Sequence, residues 1–147
     1  QEFRRRFPVE ANLANLLDEE QRVALVMIVA GYNVFVTGSA GVGKSKIVSS
    51  ACLTLKAAFE KYECDILVCG STGVAAFNVS GLTLHSSALL MMTNEQQWIK
   101  NMSVKMMSLS ALLIDEVSMV STRDFYRTHM RLSSAAKFNK DPVELCV

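Results

Sequence analysis

Three short stretches hold the residue types able to do chemistry. The first is Gly38-Ser39-Ala40-Gly41-Val42-Gly43-Lys44-Ser45, which fits the pattern G-x-x-x-x-G-K-[ST]. A phosphate chain lying against backbone N–H groups needs side chains out of the way and unusual dihedrals allowed, and glycine supplies both. A helix starting after the loop adds unpaired N–H donors and a partial positive charge. Lys44 brings a full charge to β- and γ-phosphates, and the Ser45 hydroxyl can ligate Mg²⁺. The second stretch, "LLIDE", ends an apolar run in Asp115 and Glu116. The carboxyl end of a buried strand is where open α/β sheets place their ligands. Asp115 there suits a Mg²⁺ held through water, and Glu116 suits polarising an attacking water. That second acid favours nucleotide hydrolysis over transfer to a small molecule. The third, "STGVAAFNVSGLTLHS" (71–86), offers hydroxyls and N–H groups at a strand-to-helix junction. Such groups hold a nucleic-acid phosphate without reading sequence. Read from the residues alone, a helix cap is the favoured role of Ser71 or Thr72, and His85 serves equally as a structural histidine.

Alternating elements must position these stretches. "LDEEQRVALVMIVAGY" reads as a helix capped by Asp18 and ended by Gly31, apolar nearly all round in its second half and therefore buried. "NVFVT" (33–37) reads as a buried strand running into the glycine loop. Ile47, Val48, Ala51, Cys52, Leu55, Ala58 and Phe59 then recur at helical spacing. "DILVCG" (65–70) and "ALLIDE" (111–116) read as further buried strands, with a short helix after the first. Residues 91–110 read as helical, their methionines as packing, and Phe77 as core; Trp98 has no assigned role. "STRDFYRTHMRLSS" (121–134) reads as a final helix capped by Ser121. This order predicts an α/β domain with a parallel sheet and flanking helices.

The composition fits that reading. Of 147 residues, 50% are hydrophobic and 20% charged, which is globular, and the net charge of +1 neither demands nor excludes a nucleic acid. Cys52, Cys64, Cys69 and Cys146 form no C-x-x-C pair and read as reduced core residues rather than zinc ligands. The apolar run Val23–Ala30 is too short to span a bilayer and follows "DEEQR", the wrong flank for a signal peptide. Opening on Gln1, the chain reads as a fragment or a processed product.

"LDEEQ", "NVFVTGSAGVGKS", "STGVAAFNVSGLTLHS" and "LLIDEVSMV" occur in this order, and from about Leu17 to about Val120 the chain resembles the N-terminal RecA-like domain of the petite-integration-frequency (Pif-one) DNA helicases, Helitron-type helicases included. The resemblance implies a P-loop NTPase of helicase superfamily one. It would couple hydrolysis of ATP, with Mg²⁺, to 5′–3′ movement on single-stranded DNA in repair, recombination and telomere maintenance. The expected location is the nucleus, with the mitochondrion as alternative; no membrane is involved, and protein partners are not indicated. By motif, Gln21 matches the glutamine that reads adenine, and Gly38, Gly41, Gly43, Lys44 and Ser45 the phosphate loop. Ser45 and Asp115 match the metal site, Lys44 and Glu116 the catalytic pair, and Ser71, Thr72, Gly73, Thr83 and His85 the DNA-contacting segment.

The chain departs from the family pattern after "DEVSM". No "GDxxQLPP"-type segment follows, nor does the second RecA-like domain with its arginine finger. Residues 1–147 therefore read as a partial N-terminal ATPase domain, incomplete at the C-terminus. It lacks the strand expected between the phosphate-loop strand and the acid-bearing strand, and is accordingly expected to be marginally stable or aggregation-prone. Two alternatives remain at this level. A small P-loop kinase would want lid arginines, and Arg123, Arg127 and Arg131 carry no lid signature. A truncated remnant would bind nucleotide or DNA without catalysis.

Overall fold

The computed structural model describes residues 16–59, 65–91, 106 and 108–138. Two helices come first, α1 (Glu19–Val29) and α2 (Lys44–Phe59), joined by the glycine loop. Strand β1 (Asp65–Gly70), helix α3 (Gly73–Asn78), the two-residue strand β2 (Leu82–Thr83) and a 3₁₀ turn (Leu84–Ser86) follow. Strand β3 (Leu109–Asp115), a second 3₁₀ turn (Val117–Met119) and helix α4 (Thr122–Phe138) complete the described chain.

The sheet is parallel in the order β2-β1-β3. Both faces are covered, which explains why β1 and β3 read as continuous apolar runs rather than alternating ones. On one face Leu25, Ile28 and Val29 of α1 and Ile47, Ala51 and Leu55 of α2 share a core with Val68, Ala111 and Leu113. On the other, Leu132 and Ala135 of α4 pack with Cys69, Leu84, Leu89 and Leu112. Leu109 joins this second core although it is two residues from Ala111, because the ladder slips one residue between Asp65 and Ile66. Ser110 takes up the slip, and the parity of the strand inverts around it. Burial pushes the Cys69 thiol up to about 11, with a hydrogen bond from Ser87 opposing, so this side chain is a neutral core group. Cys52 is also free and buried.

Helix ends follow local chemistry. Asp18 caps α1 in a full capping box with Gln21. Gly31 ends it at φ +86°, with Gly31 N–H donating to the Ile28 carbonyl and Tyr32 N–H to that of Met27, a Schellman closure. Ser121 Oγ accepts from Asp124 N–H at 3.1 Å and donates to the Asp124 carboxylate at 2.7 Å, starting α4. Arg131, fully buried, donates from Nη1 to the Leu89 carbonyl and fastens α4 to the chain that leaves the first 3₁₀ turn.

Four expectations need correction. Residues 33–37 run beside the core but belong to no ladder among the described residues. Val34 and Val36 pack on the first core, while Phe35 between them is 74% exposed. With no described strand beside it, the segment covers the core with one face only. Phe77 is not core: it is 84% exposed, since α3 turns Ala75 and Ala76 inward. The second half of α1 buries one face, leaving Val26 and Met27 at the surface. Strand β2 had no sequence signal beyond Leu82 and Thr83 themselves. Trp98 and most of 91–110 lie outside the described residues; Met91 is exposed, Met106 is buried in the second core, and Leu109 and Ser110, expected to be helical, instead open β3 because they continue its parallel ladder with β1.

Candidate functional site

Helix α2 packs on β1 and β3 and returns the chain to the start of β1, so its first turn lies toward the carboxyl ends of the strands. The glycine loop therefore opens at the same end of the sheet as Asp115. Gly43 caps α2 with its carbonyl, which accepts from Lys46 and Ile47 N–H at 3.0 and 3.3 Å. Gly41 and Gly43 both sit at φ +81°, backbone that an L side chain resists. The Lys44 ammonium curls over the loop, donating to the carbonyls of Gly38 (3.0 Å) and Ser39 (2.8 Å). Its charge is thus held over the concavity formed by the loop backbone.

Gln21 joins α1 to this loop. Its Oε1 accepts from Asp18 N–H at 3.2 Å and its Nε2 donates to the Val42 carbonyl at 2.9 Å. A primary amide has two donor hydrogens and two acceptor lone pairs, so one of each remains for a further partner.

The acid end of the site is built by β3. Asp115 is 5% exposed. Its Oδ1 accepts from Glu116 N–H at 3.0 Å, while Oδ2 is buried with no hydrogen-bond partner among the described residues. Glu116 leaves the strand in the left-handed region, φ +55° and ψ +43°, and its side chain is exposed. Among the described residues no cluster of three His, Cys, Asp or Glu could hold a metal ion. A cation here would draw on one carboxylate, the Ser45 hydroxyl at the same end of the sheet, and oxygen ligands from elsewhere, a donor set that suits Mg²⁺.

The third stretch lies on the same edge. Thr83 of β2, Gly70 of β1 and Asp115 of β3 are register partners in one row across the sheet. Ser71 N–H donates to the Asp115 carbonyl at 3.1 Å. Gly70 is required by packing: a Cβ there would stand 2.1 Å from the Ala76 nitrogen. Thr72 Oγ1 caps α3 by accepting from Ala75 N–H at 3.2 Å, so the cap role raised for Ser71 or Thr72 falls to Thr72. Gly73 opens α3 and is exposed. Thr83 Oγ1 accepts from Ser86 N–H and lies 2.7 Å from the Ser86 hydroxyl. His85 Nε2 meets Asp124 Oδ2 at 3.2 Å, tying this stretch to α4. The Ser121 hydroxyl chiefly, with His85 and Arg127 adding and burial opposing, holds the Asp124 carboxyl below its ordinary range. Asp124 was not visible as a site residue in the sequence; only its place three residues after the Ser121 cap marks it.

A family model described as PIF1-like helicase matches residues 16–140. The chain belongs to the PIF1-like helicase family. This PIF1-like chain is 32% identical over 117 residues to the ATP-dependent DNA helicase PIF4 of Trypanosoma brucei brucei, covering 78% of the chain and 14% of that protein. It is 36% identical over 113 residues to ATP-dependent DNA helicase PIF1 of Candida albicans, covering 71% of the chain and 12% of the relative. The chain thus spans about a seventh of the length of these curated relatives. Among solved structures, Pif1 helicase of Candida albicans superposes with a TM-score of 0.73 at 31% identity, over 88% of this chain and 31% of that one. A Bacteroides Pif1 solved with ADP-AlF3 and single-stranded DNA matches with a TM-score of 0.61 at 26% identity, over 88% of this chain and 31% of that one. The parallel sheet with helices on both faces is accordingly the RecA-like α/β arrangement expected. No described helix is long and apolar enough to cross a membrane.

Proposed function

We propose that residues 1–147 are the nucleotide-binding part of the N-terminal RecA-like domain of an ATP-dependent DNA helicase. The observation that carries this is the juxtaposition, at one end of the sheet, of the Lys44 loop and a buried carboxylate with an unpartnered oxygen. Bound ATP with Mg²⁺ would supply the phosphoryl group that is cleaved. Gly38, Gly41 and Gly43 give the phosphates access to loop backbone, and Lys44 exchanges the Gly38 and Ser39 carbonyls for phosphate oxygens. Ser45 and, through water, Asp115 would hold the cation. Gln21 offers its remaining donor and acceptor to adenine while its other two bonds keep it fixed. Glu116, exposed beside Asp115, polarises the attacking water. Thr72, Gly73, Thr83 and His85 present the sheet edge to the backbone of single-stranded DNA. The alternative of a small P-loop kinase fits less well, because Arg131 is buried against Leu89 and Arg127 pairs with Asp124 at 3.9 Å, which leaves neither on a lid.

An arginine finger from a second RecA-like domain is worth roughly 10³–10⁵ in rate. The 147 residues alone are therefore expected to bind ATP and hydrolyse it very slowly. In the longer protein this reading implies 5′–3′ unwinding in DNA repair, recombination and telomere maintenance, in nucleus or mitochondrion. The test is a titration of the chain with a fluorescent ATP analogue and Mg²⁺, beside Lys44→Ala. Saturable binding lost in the variant is the expected result. A folded wild type that binds no nucleotide overturns the reading.

A further inference from the structure

Ser71 opens the stretch assigned above to DNA, yet its surroundings belong to the acid. It follows Gly70, the register partner of Asp115, and its N–H donates to the Asp115 carbonyl. Its hydroxyl oxygen is buried with no hydrogen-bond partner among the described residues, and the same is true of Asp115 Oδ2. Buried polar atoms are nearly always paired with protein, water or ion, and leaving one bare is costly. These two stand on adjoining strand ends and do not bond each other. Thr72 differs, having its hydroxyl engaged with Ala75 N–H.

We propose that Ser71 is a positioning residue of the nucleotide site, its hydroxyl and Asp115 Oδ2 together holding one water of the Mg²⁺ shell. The proposal rests on the ATP and Mg²⁺ reading above. A water whose oxygen lone pair faces a cation has two protons to donate. One goes to Asp115 Oδ2 and the other to Ser71 Oγ. Because both atoms are sealed at the surface, the water enters with the cation as the loop takes up nucleotide. The arrangement fixes the water from two directions. It also links β1, from which the proposed DNA-facing stretch emerges, to the occupancy of the metal site.

The experiment is a fluorescent-ATP titration of the chain at increasing Mg²⁺ and in EDTA, with oligo-dT binding measured separately without nucleotide. Ser71→Ala is expected to raise the Mg²⁺ concentration for half-maximal nucleotide binding roughly 5- to 10-fold, the loss of about one hydrogen bond. Binding in EDTA and to oligo-dT stays at the wild-type level, and Ser71→Thr, which keeps the hydroxyl, restores the Mg²⁺ midpoint. Ser71→Cys, nearly isosteric and a weak hydrogen-bonder, reads the same loss should alanine perturb the fold. An unchanged midpoint overturns the proposal, as does an equal loss with and without Mg²⁺. Weakened oligo-dT binding at an unchanged midpoint overturns it too and returns Ser71 to the DNA contact. Lys44→Ala separates the two levels. If wild type binds and Lys44→Ala does not while Ser71→Ala is silent, only the Ser71 role fails; if a folded wild type does not bind, both fail.

Discussion

Substituting Gly43 by alanine tests how the phosphate loop is tied to the first helix. Gly43 sits at φ +81°, and a Cβ there would stand 2.8 Å from Gln21 Nε2. The left-handed backbone costs an alanine about 1–2 kcal/mol. The contact also forces the Gln21 amide from its bonds to Asp18 N–H and the Val42 carbonyl. Both bonds are exposed, so their joint loss costs about 1 kcal/mol. Gly43→Ala should therefore destabilise by about 2–3 kcal/mol, at roughly 2–4 °C in melting temperature per kcal/mol for a chain of this size. Gln21→Ala alone should cost about 1 kcal/mol. The double variant should cost about 1 kcal/mol less than the sum, because the shortened side chain no longer obstructs the Cβ. Chemical denaturation of the four proteins gives the cycle. Additivity within ~0.3 kcal/mol would refute the reasoning, since it would mean that Gln21 is not what the new methyl meets.

Three further outcomes follow from the geometry. Gly70→Ala would push a methyl into the backbone of Ala75 and Ala76, which cannot rotate away, so it should destabilise by about 3 kcal/mol or more, read as a fall in denaturation midpoint. Glu116→Gly removes a side chain from left-handed backbone and should leave stability unchanged or raise it by up to about 1 kcal/mol, while abolishing the ATP turnover proposed for the longer protein; a clear loss of stability would refute the strain. Asp124 has its carboxyl held below the ordinary 3.8, so its contribution is present above that value and is lost as pH falls through the lowered one. Asp124→Asn should flatten this acid limb in melting temperature recorded from about pH 7 to about pH 2, and an unchanged limb would count against it.

Local features were more legible in the sequence than the packing. The glycine loop, the strand-terminal acids and the Asp18 cap are local, each readable within a few residues, and each stands where expected. What escaped depended on distant partners. "NVFVT" has strand composition, but a ladder needs a neighbouring strand, and among the described residues the segment joins none, while Val34 and Val36 pack on the first core. Phe77 looked like core by type, yet its exposure follows from α3 turning Ala75 and Ala76 inward. The inverted parity of β3 comes from a slip of register that no periodicity records. Asp124 and Ser71 gained their neighbours only through the order of elements at the sheet edge.

The isolation of residues 34–42 from the ladder gives the loop its own dynamics. Between Tyr32, which closes α1, and Gly43, which opens α2, no backbone hydrogen bond among the described residues engages the amides of 34–42. Amide protons in such a stretch exchange with solvent through local fluctuation rather than by unfolding of the domain. In a deuterium-labelling experiment the glycine loop should label within the earliest time points while β1 and β3 stay protected. A bound phosphate chain would occupy those same N–H groups directly. Ligand uptake should then appear as slowed exchange concentrated at the loop, a signal set against an almost silent background.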